Sequence, residues 1–229
     1  IVGGEALSTN IDGDNNTAIG YRALKTFEAD ADGLGNNTAI GSESQKLATT
    51  GQFNTSVGSL SLGGNTLSGD YNISVGYRAG FNISAGNRNV AVGHDALRSE
   101  DGSGGNVAIG YSALLTQNTT AADARNVAIG DEAGFALTLG TNNVFVGGLA
   151  GDALTTGSDN VAVGMHSLST ANAGNKNVAV GRAALNLQNA GSAGQDMYNV
   201  AVGYNSGAAV TTGVKNTIVG GHAGDAFTT

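Results

Sequence analysis

The side chains in this 229-residue sequence that could do acid–base, nucleophilic or metal chemistry are few, and their spacing argues against a reaction centre. His94, His166 and His222 each fall one or two residues after a recurring glycine, far apart along the chain. No Ser/His/Asp arrangement emerges, because Ser and Asp occupy equivalent turn positions throughout. Glu5, Glu43, Asp95, Asp131 and Glu132 also sit at turns, where they read as a solvated face rather than the carboxylate pair that glycoside cleavage needs. Asp12, Asp14, Asp30, Asp32 and Asp101 fall in longer intervals, but the Gly-Gly-x-Gly-x-Asp series of calcium-binding nonapeptides does not occur. Gly102-Ser103-Gly104 opens no helix, so a phosphate cradle has no support. The sequence therefore predicts no catalytic residue, no metal site and no cofactor.

Composition excludes further classes. The formal net charge is −8 and no Lys/Arg run is present, so nucleic acid is not an expected partner. No stretch approaches the roughly 18–20 apolar residues of a membrane-spanning helix. The absence of cysteine removes disulfide scaffolds and thiolate metal sites.

What recurs is a phrase, Asn–β-branched–small–(Ile/Val)–Gly. Its asparagines are Asn16, Asn37, Asn54, Asn72, Asn89, Asn106, Asn126, Asn143, Asn160, Asn177, Asn199 and Asn216, each four residues before a glycine. A truncated copy ends at Gly3. Residues 1–229 read as a single repeat array, cut within a repeat at both ends from a longer fibrous chain. A period near 17 residues marks a solenoid, in which one repeat makes one coil and buries its apolar face only against its neighbours. About 13 coils at ~4.8 Å each would span roughly 60 Å.

Each position of the phrase carries an expectation. The β-branched residues at the first and third strand positions, such as Val107 and Ile109, are expected to form the core. The residue between them is Ala in eight copies and Ser in two, with Phe145, Ile218 and Ile1 as exceptions. It is expected to point to the opposite, outer side and to pack closely on another wall or a sister chain. Three residues past each glycine stands Ala or Ser, which suggests a second short strand. The next residue divides the repeats. Seven have Leu (Leu7, Leu24, Leu62, Leu97, Leu114, Leu168, Leu185), and five have Gly followed by a delayed apolar residue, as in Gly80 to Ile83. Gln45 belongs to neither kind. Complete Gly-type intervals are all 17 residues long while Leu-type intervals run from 17 to 22. Insertions, and with them recognition, are expected in one kind of turn. The asparagines are expected to form a structural ladder of stacked side-chain amides. Tyr21, Tyr77, Tyr111 and Tyr204 each follow a repeat glycine and are candidates either for recognition by stacking or for sealing a chain interface.

Residues 16–24, Asn-Thr-Ala-Ile-Gly-Tyr-Arg-Ala-Leu, and residues 106–114 carry the closest likeness to known repeats. They resemble the YadA-like head repeats of trimeric autotransporter adhesins and the similar repeats of tailed-phage tail fibre proteins. The likeness covers essentially the whole chain. It implies a left-handed parallel β-roll, a side-by-side homotrimer, and an extracellular rod on a virion tail fibre or a bacterial cell surface, which attaches to a host-surface receptor or glycan. Two departures stand out: the repeat is longer than in adhesin heads, and the Ala-x-Ala-x-Gly alternation of their second strand is missing. The expected fold is thus an all-β parallel β-solenoid. The expected function is non-enzymatic attachment, with a carbohydrate-binding or carbohydrate-degrading solenoid as the alternative. An ice-binding solenoid would need a regular Thr face, which Thr17, Thr38 and Thr55 begin and Ile73, Val90 and Val107 discontinue.

Overall fold

Asn, β-branched and Gly residues repeated at fixed spacing give a strand too short to stand alone, so each copy must pair with the next. The structure, a computed structural model, describes residues 2–10, 13–28, 34–170 and 172–228. Asp12, Asp30 and Asp32, and the Ile1 of the truncated copy, lie outside the described residues. Two compact units are present: Ile1–Ile109 with Asn118–Asp123, and Gly110–Gln117 with Ala124–Thr229. The first holds strands β1 (Thr17–Ile19), β2 (Thr38–Ile40), β3 (Thr55–Val57), β4 (Ile73–Val75), β5 (Val90–Val92) and β6 (Val107–Ile109). The second holds β7 (Val127–Ile129), β8 (Val144–Val146), β9 (Val161–Val163), β10 (Val178–Val180), β11 (Val200–Val202) and β12 (Thr217–Val219). No helix occurs among the described residues.

Within each unit the strands pair in parallel, in chain order, equivalent position on equivalent position. Thr17, Ala18 and Ile19 face Thr38, Ala39 and Ile40, and Val161, Ala162 and Val163 face Val178, Ala179 and Val180. The fold is an all-β parallel β-solenoid. Val2 adds a parallel bridge to Ile19, as a truncated preceding coil would.

The core is the reverse of the one expected from the β-branched columns. The small central residue of each strand points inward: Ala18, Ala39, Ala91, Ala108, Ala128, Ala162, Ala179 and Ala201 have no exposed surface. The β-branched residues on either side point outward, with Ile19 at 41%, Ile73 at 44% and Ile129 at 38% exposure. The reason is the narrowness of the coil. The Ala/Ser residue after the corner glycine lies directly across from the strand: Ser44 Oγ is 2.5 Å from Ser56 Oγ, Ser61 Oγ donates to the Ser74 carbonyl at 3.0 Å, and Ser206 Oγ to the Ile218 carbonyl at 3.0 Å. Two β-branched columns would not fit into that gap. The bulk of the apolar burial comes instead from the residues beyond, with Leu24, Leu62, Leu97, Leu114, Leu168 and Leu185 all fully buried. Each such side chain contributes about 1.5–3 kcal/mol.

Among the described residues the opposite wall contains no second strand, which corrects the other structural expectation. Its backbone is a series of turns with residues in the left-handed region. Leu24, Leu97 and Leu185 have φ of 48°, 50° and 47°, and Gln45 has 47°. In the Gly-type coils the same place is taken by Gly80, Gly134, Gly151, Gly207 and Gly224 at φ between 57° and 62°. A leucine held there costs about 1–2 kcal/mol of backbone energy, which glycine avoids. Coil-to-coil hydrogen bonds nevertheless continue along this wall, as from Leu24 N to the Ser44 carbonyl and from Leu168 N to the Ala184 carbonyl, both 3.0 Å.

For four of the five Gly-type turns, those other than Gly80, the glycine has a packing cause. A Cβ on Gly134 would lie 2.8 Å from Phe145 Cδ2, and one on Gly151 2.6 Å from Phe145 Cε1. Ile218 stands in the same relation to Gly207 and Gly224. The two large residues in the inward column are therefore each held between the Gly-type turn of the preceding coil and that of their own, which leave the space a leucine would fill. Ala179→Val, which enlarges the inward column of β10 between the Leu-type turns of Leu168 and Leu185, should lower stability by about 1–3 kcal/mol in chemical denaturation. Unchanged stability would contradict the inward assignment.

Candidate interaction face and loops

Turning the small residue inward leaves a face of β-branched side chains outside. In the first unit it comprises Thr17, Thr38, Thr55, Ile73, Val90 and Val107 in one column and Ile19, Ile40, Val57, Val75, Val92 and Ile109 in the other. In the second it runs from Val127 to Thr217 and from Ile129 to Val219. No charged residue interrupts either column. Parallel sheets ordinarily have both faces covered, and a contiguous exposed apolar surface of this kind is the usual mark of an interaction site.

Aromatic residues line both margins of the face in each unit. On the side after the corner glycines stand Tyr21, Tyr77, Tyr111 and Tyr204, at 46%, 43%, 52% and 47% exposure. On the other side, immediately before the ladder asparagines, stand Phe53, Tyr71 and Tyr198, also exposed. Sequence reasoning missed this second column, although its signal is simple: the position is always one before the asparagine, and its backbone is left-handed, at φ 56°, 60° and 56° for these three. All six tyrosines thus flank the strand face. The rings are partly fixed by their neighbours. Phe53 and Tyr71 stack with centroids 5.0 Å apart and planes 2° from parallel, and Arg22 lies 4.7 Å above the Tyr21 ring. Tyr77 meets His94, and Tyr204 meets His222, each at 5.2 Å.

The asparagines lie behind the face, inside the coil. Asn143, Asn160, Asn177 and Asn199 are fully buried. Asn160 shows the geometry: its N–H and its Nδ2 both donate to Asn143 Oδ1 at 3.1 Å, and Nδ2 also donates to the Gly174 carbonyl at 2.9 Å. Its own Oδ1 accepts from the N–H and Nδ2 of Asn177, both at 3.0 Å. The first unit repeats the pattern, with Asn54 N on Asn37 Oδ1 at 2.9 Å and Asn72 N on Asn54 Oδ1 at 2.8 Å. Buried glutamines join it where a Leu-type coil needs a partner: Asn126 Nδ2 donates to Gln117 Oε1 at 3.1 Å, and Asn177 Nδ2 to Gln188 Oε1 at 3.3 Å.

Titratable groups are dispersed. Among the described residues no three His, Asp or Glu side chains come together as a metal site would require. His94 pairs with Asp95 at 3.3 Å and His222 with Asp225 at 3.1 Å. Asp152, Ser169 and His166 do fall near one another, a grouping the sequence did not reveal. Burial pushes the Asp152 carboxyl above the ordinary range, while a hydrogen bond from Ser169 and the nearby His166 oppose the rise. The serine bonds the carboxylate directly, whereas nucleophilic activation needs the imidazole between the two.

The longest interval, Gly181 to Gly203, carries an inserted loop fastened to the preceding coil. Lys176 Nζ lies 2.6 Å from Asp196 Oδ2, and Asn175 Nδ2 donates to the Gly194 carbonyl at 3.0 Å. The hydrogen bond from Lys176, followed by that from Tyr198, holds the Asp196 carboxyl below its ordinary range, and Asp196 in turn raises Lys176.

No protein-family model, no curated protein and no solved structure matches the chain. The assignment therefore stands on the repeat and its geometry. Asn160→Ala removes the Nδ2 bonds to Asn143 Oδ1 and to the Ser158 and Gly174 carbonyls and takes from the Asn177 N–H its acceptor, so it should cost about 2–4 kcal/mol and lower the melting temperature. Retained stability would reduce the buried ladder to an incidental feature.

Proposed function

We propose that the chain is part of a non-enzymatic, homotrimeric attachment fibre, displayed outside the cell as a phage tail fibre or a bacterial surface adhesin head. The observation that carries this reading is the outward, uncharged β-branched face with tyrosines along both margins. Such a face is apolar at its centre and bounded by amphipathic rings, the composition of a protein–protein contact. Its columns repeat from coil to coil, so a second copy laid alongside would meet matching side chains at every step. The likeness to trimeric adhesin heads and tail-fibre repeats supports three copies and a left-handed winding.

The same geometry bears on the competing readings. Thr17, Thr38 and Thr55 do face outward, as an ice-binding surface would need, but the column is Ile or Val from β4 to β11. A carbohydrate-degrading solenoid has no comparable observation in its favour. Carbohydrate recognition, by contrast, is compatible with an attachment fibre and would reside in the loops.

Light scattering on the purified chain should give a mass about three times 22.6 kDa. Replacing the outward Ile73 and Ile129 together by Lys should yield monomers with an unchanged circular dichroism spectrum. A wild-type monomer would sink the assembly. Tyr77→Ser with Tyr111→Ser separates the two roles of the margin: dissociation assigns the tyrosines to the seal, and an intact trimer that no longer attaches assigns them to recognition.

A further inference from the structure

The inserted loop between β10 and β11 borders a depression of about 320 Å³ on the turn edge of the second unit. Its interval is five residues longer than the 17-residue repeat, and the excess forms a tip at residues 190–193. The base of that tip is fixed from several directions. Leu187 N donates to the Ala208 carbonyl at 3.1 Å, Asn189 N to the Thr211 carbonyl at 2.9 Å, and Met197 N to the Asn175 carbonyl at 3.1 Å. Met197 is fully buried, and Asp196 is held by Lys176. The tip stands over the turns of the two preceding coils, and the space between is a preformed feature of the folded unit.

The lining defines what would fit. Six residues matter: Thr156, Asn172, Ala190, Gly191, Ser192 and Ala193. None carries a charge, and none is bulky. The Thr156 hydroxyl is buried and has no hydrogen-bond partner in the protein, a condition that costs free energy unless something else supplies a partner. The Asn172 carbonyl is already used by Thr155 N at 2.8 Å, while Asn172 itself is an exposed residue of the lining. Among the described residues, the N–H groups of Gly191, Ser192 and Ala193 have no acceptor. The site thus offers several neutral donors and acceptors and a floor of methyl groups and glycine.

That combination selects against charged ligands. No cation is present to hold a phosphate or carboxylate, and the net charge of −8 repels anions. A purely hydrocarbon ligand would leave the Thr156 hydroxyl and the loop amides unpaired. A ring with hydroxyls on its rim and apolar C–H groups on its face satisfies both parts of the lining. The volume lies at the lower end of the roughly 300–1,000 Å³ of small-ligand sites, which suits a single ring and its immediate substituents. We propose that this depression is a subsite for an uncharged saccharide unit, presented by a neutral surface glycan. Its biological use rests on the reading of the chain as an attachment fibre; the binding itself does not.

The test is saturation-transfer NMR and titration calorimetry on the purified chain with methyl glycosides of glucose, galactose, mannose and N-acetylglucosamine, and with glucuronic acid for comparison. At least one neutral glycoside should receive saturation, and glucuronic acid should receive less. Thr156→Val removes the unpartnered hydroxyl at constant shape. Gly191→Gln fills the mouth, where an added Cβ would meet only Gln195 Oε1, at 3.8 Å, so folding is preserved. Each should weaken binding by at least about tenfold without altering the melting temperature or the scattering mass. No transfer to any neutral glycoside, or transfer unaffected by both variants, overturns the proposal. The mass measured on the same sample keeps the two readings separate: a trimer that binds no sugar sinks the subsite alone, and a monomer that binds sugar sinks the assembly alone.

Discussion

The distance between the strand wall and the turn wall of each coil governs this structure. It is set by two facing columns of alanine and serine, close enough for Ser44 and Ser56 to touch through their hydroxyls. Everything larger is displaced from that gap. The leucines are pushed to one side of the coil, the asparagines fill the corner on the other, and the β-branched residues have nowhere to go but outward. A wider coil would bury Val and Ile as in an ordinary parallel sheet, and the outward β-branched face would not exist.

The same constraint explains why so much of the backbone is left-handed. A narrow coil must reverse direction within a few residues, and single left-handed residues achieve this at the corner before each ladder asparagine and twice in the wall after each glycine. L-amino acids resist such conformations. They persist here because each turn hydrogen-bonds to its equivalents above and below and because the asparagine amide satisfies the buried groups the corner leaves open. The strain is spread over many coils, and no single site concentrates it.

Much of the architecture was legible in the sequence because a solenoid writes its geometry as a period. The register, the coil length and the restriction of insertions to Leu-type turns all followed from aligned glycines and asparagines. The orientation of the strands did not. Ala18 between Thr17 and Ile19 alternates correctly either way, and the rule that larger apolar residues lie inside pointed to the wrong face. The information needed was the width of the coil, a tertiary quantity that no single repeat displays. It was nonetheless present in the exceptions: Phe145 and Ile218 each stand in a Gly-type repeat that follows another Gly-type repeat, a correlation that makes sense only if the central position points toward those glycines. The second margin of aromatics was missed for a different reason. Phe53, Tyr71 and Tyr198 share their column with Asn, Asp, Arg and Lys, so their common position was hidden by chemical variety. The depression at residues 190–193 was foreshadowed only as a place, the longest Leu-type loop, with its chemistry left open.

The fit of Phe145 between Gly134 and Gly151 also says how such a chain can change over generations. A repeat array is commonly pictured as beads that may be duplicated, lost or reordered one at a time. Here the bead carrying the phenylalanine has given up its own leucine and is compatible only with a preceding bead that has done the same, so the heritable unit at that point is two coils long. Elsewhere, where alanine faces leucine, single coils are interchangeable. The array is therefore a text with free letters and a few fixed words, and its length can drift more readily in some stretches than in others.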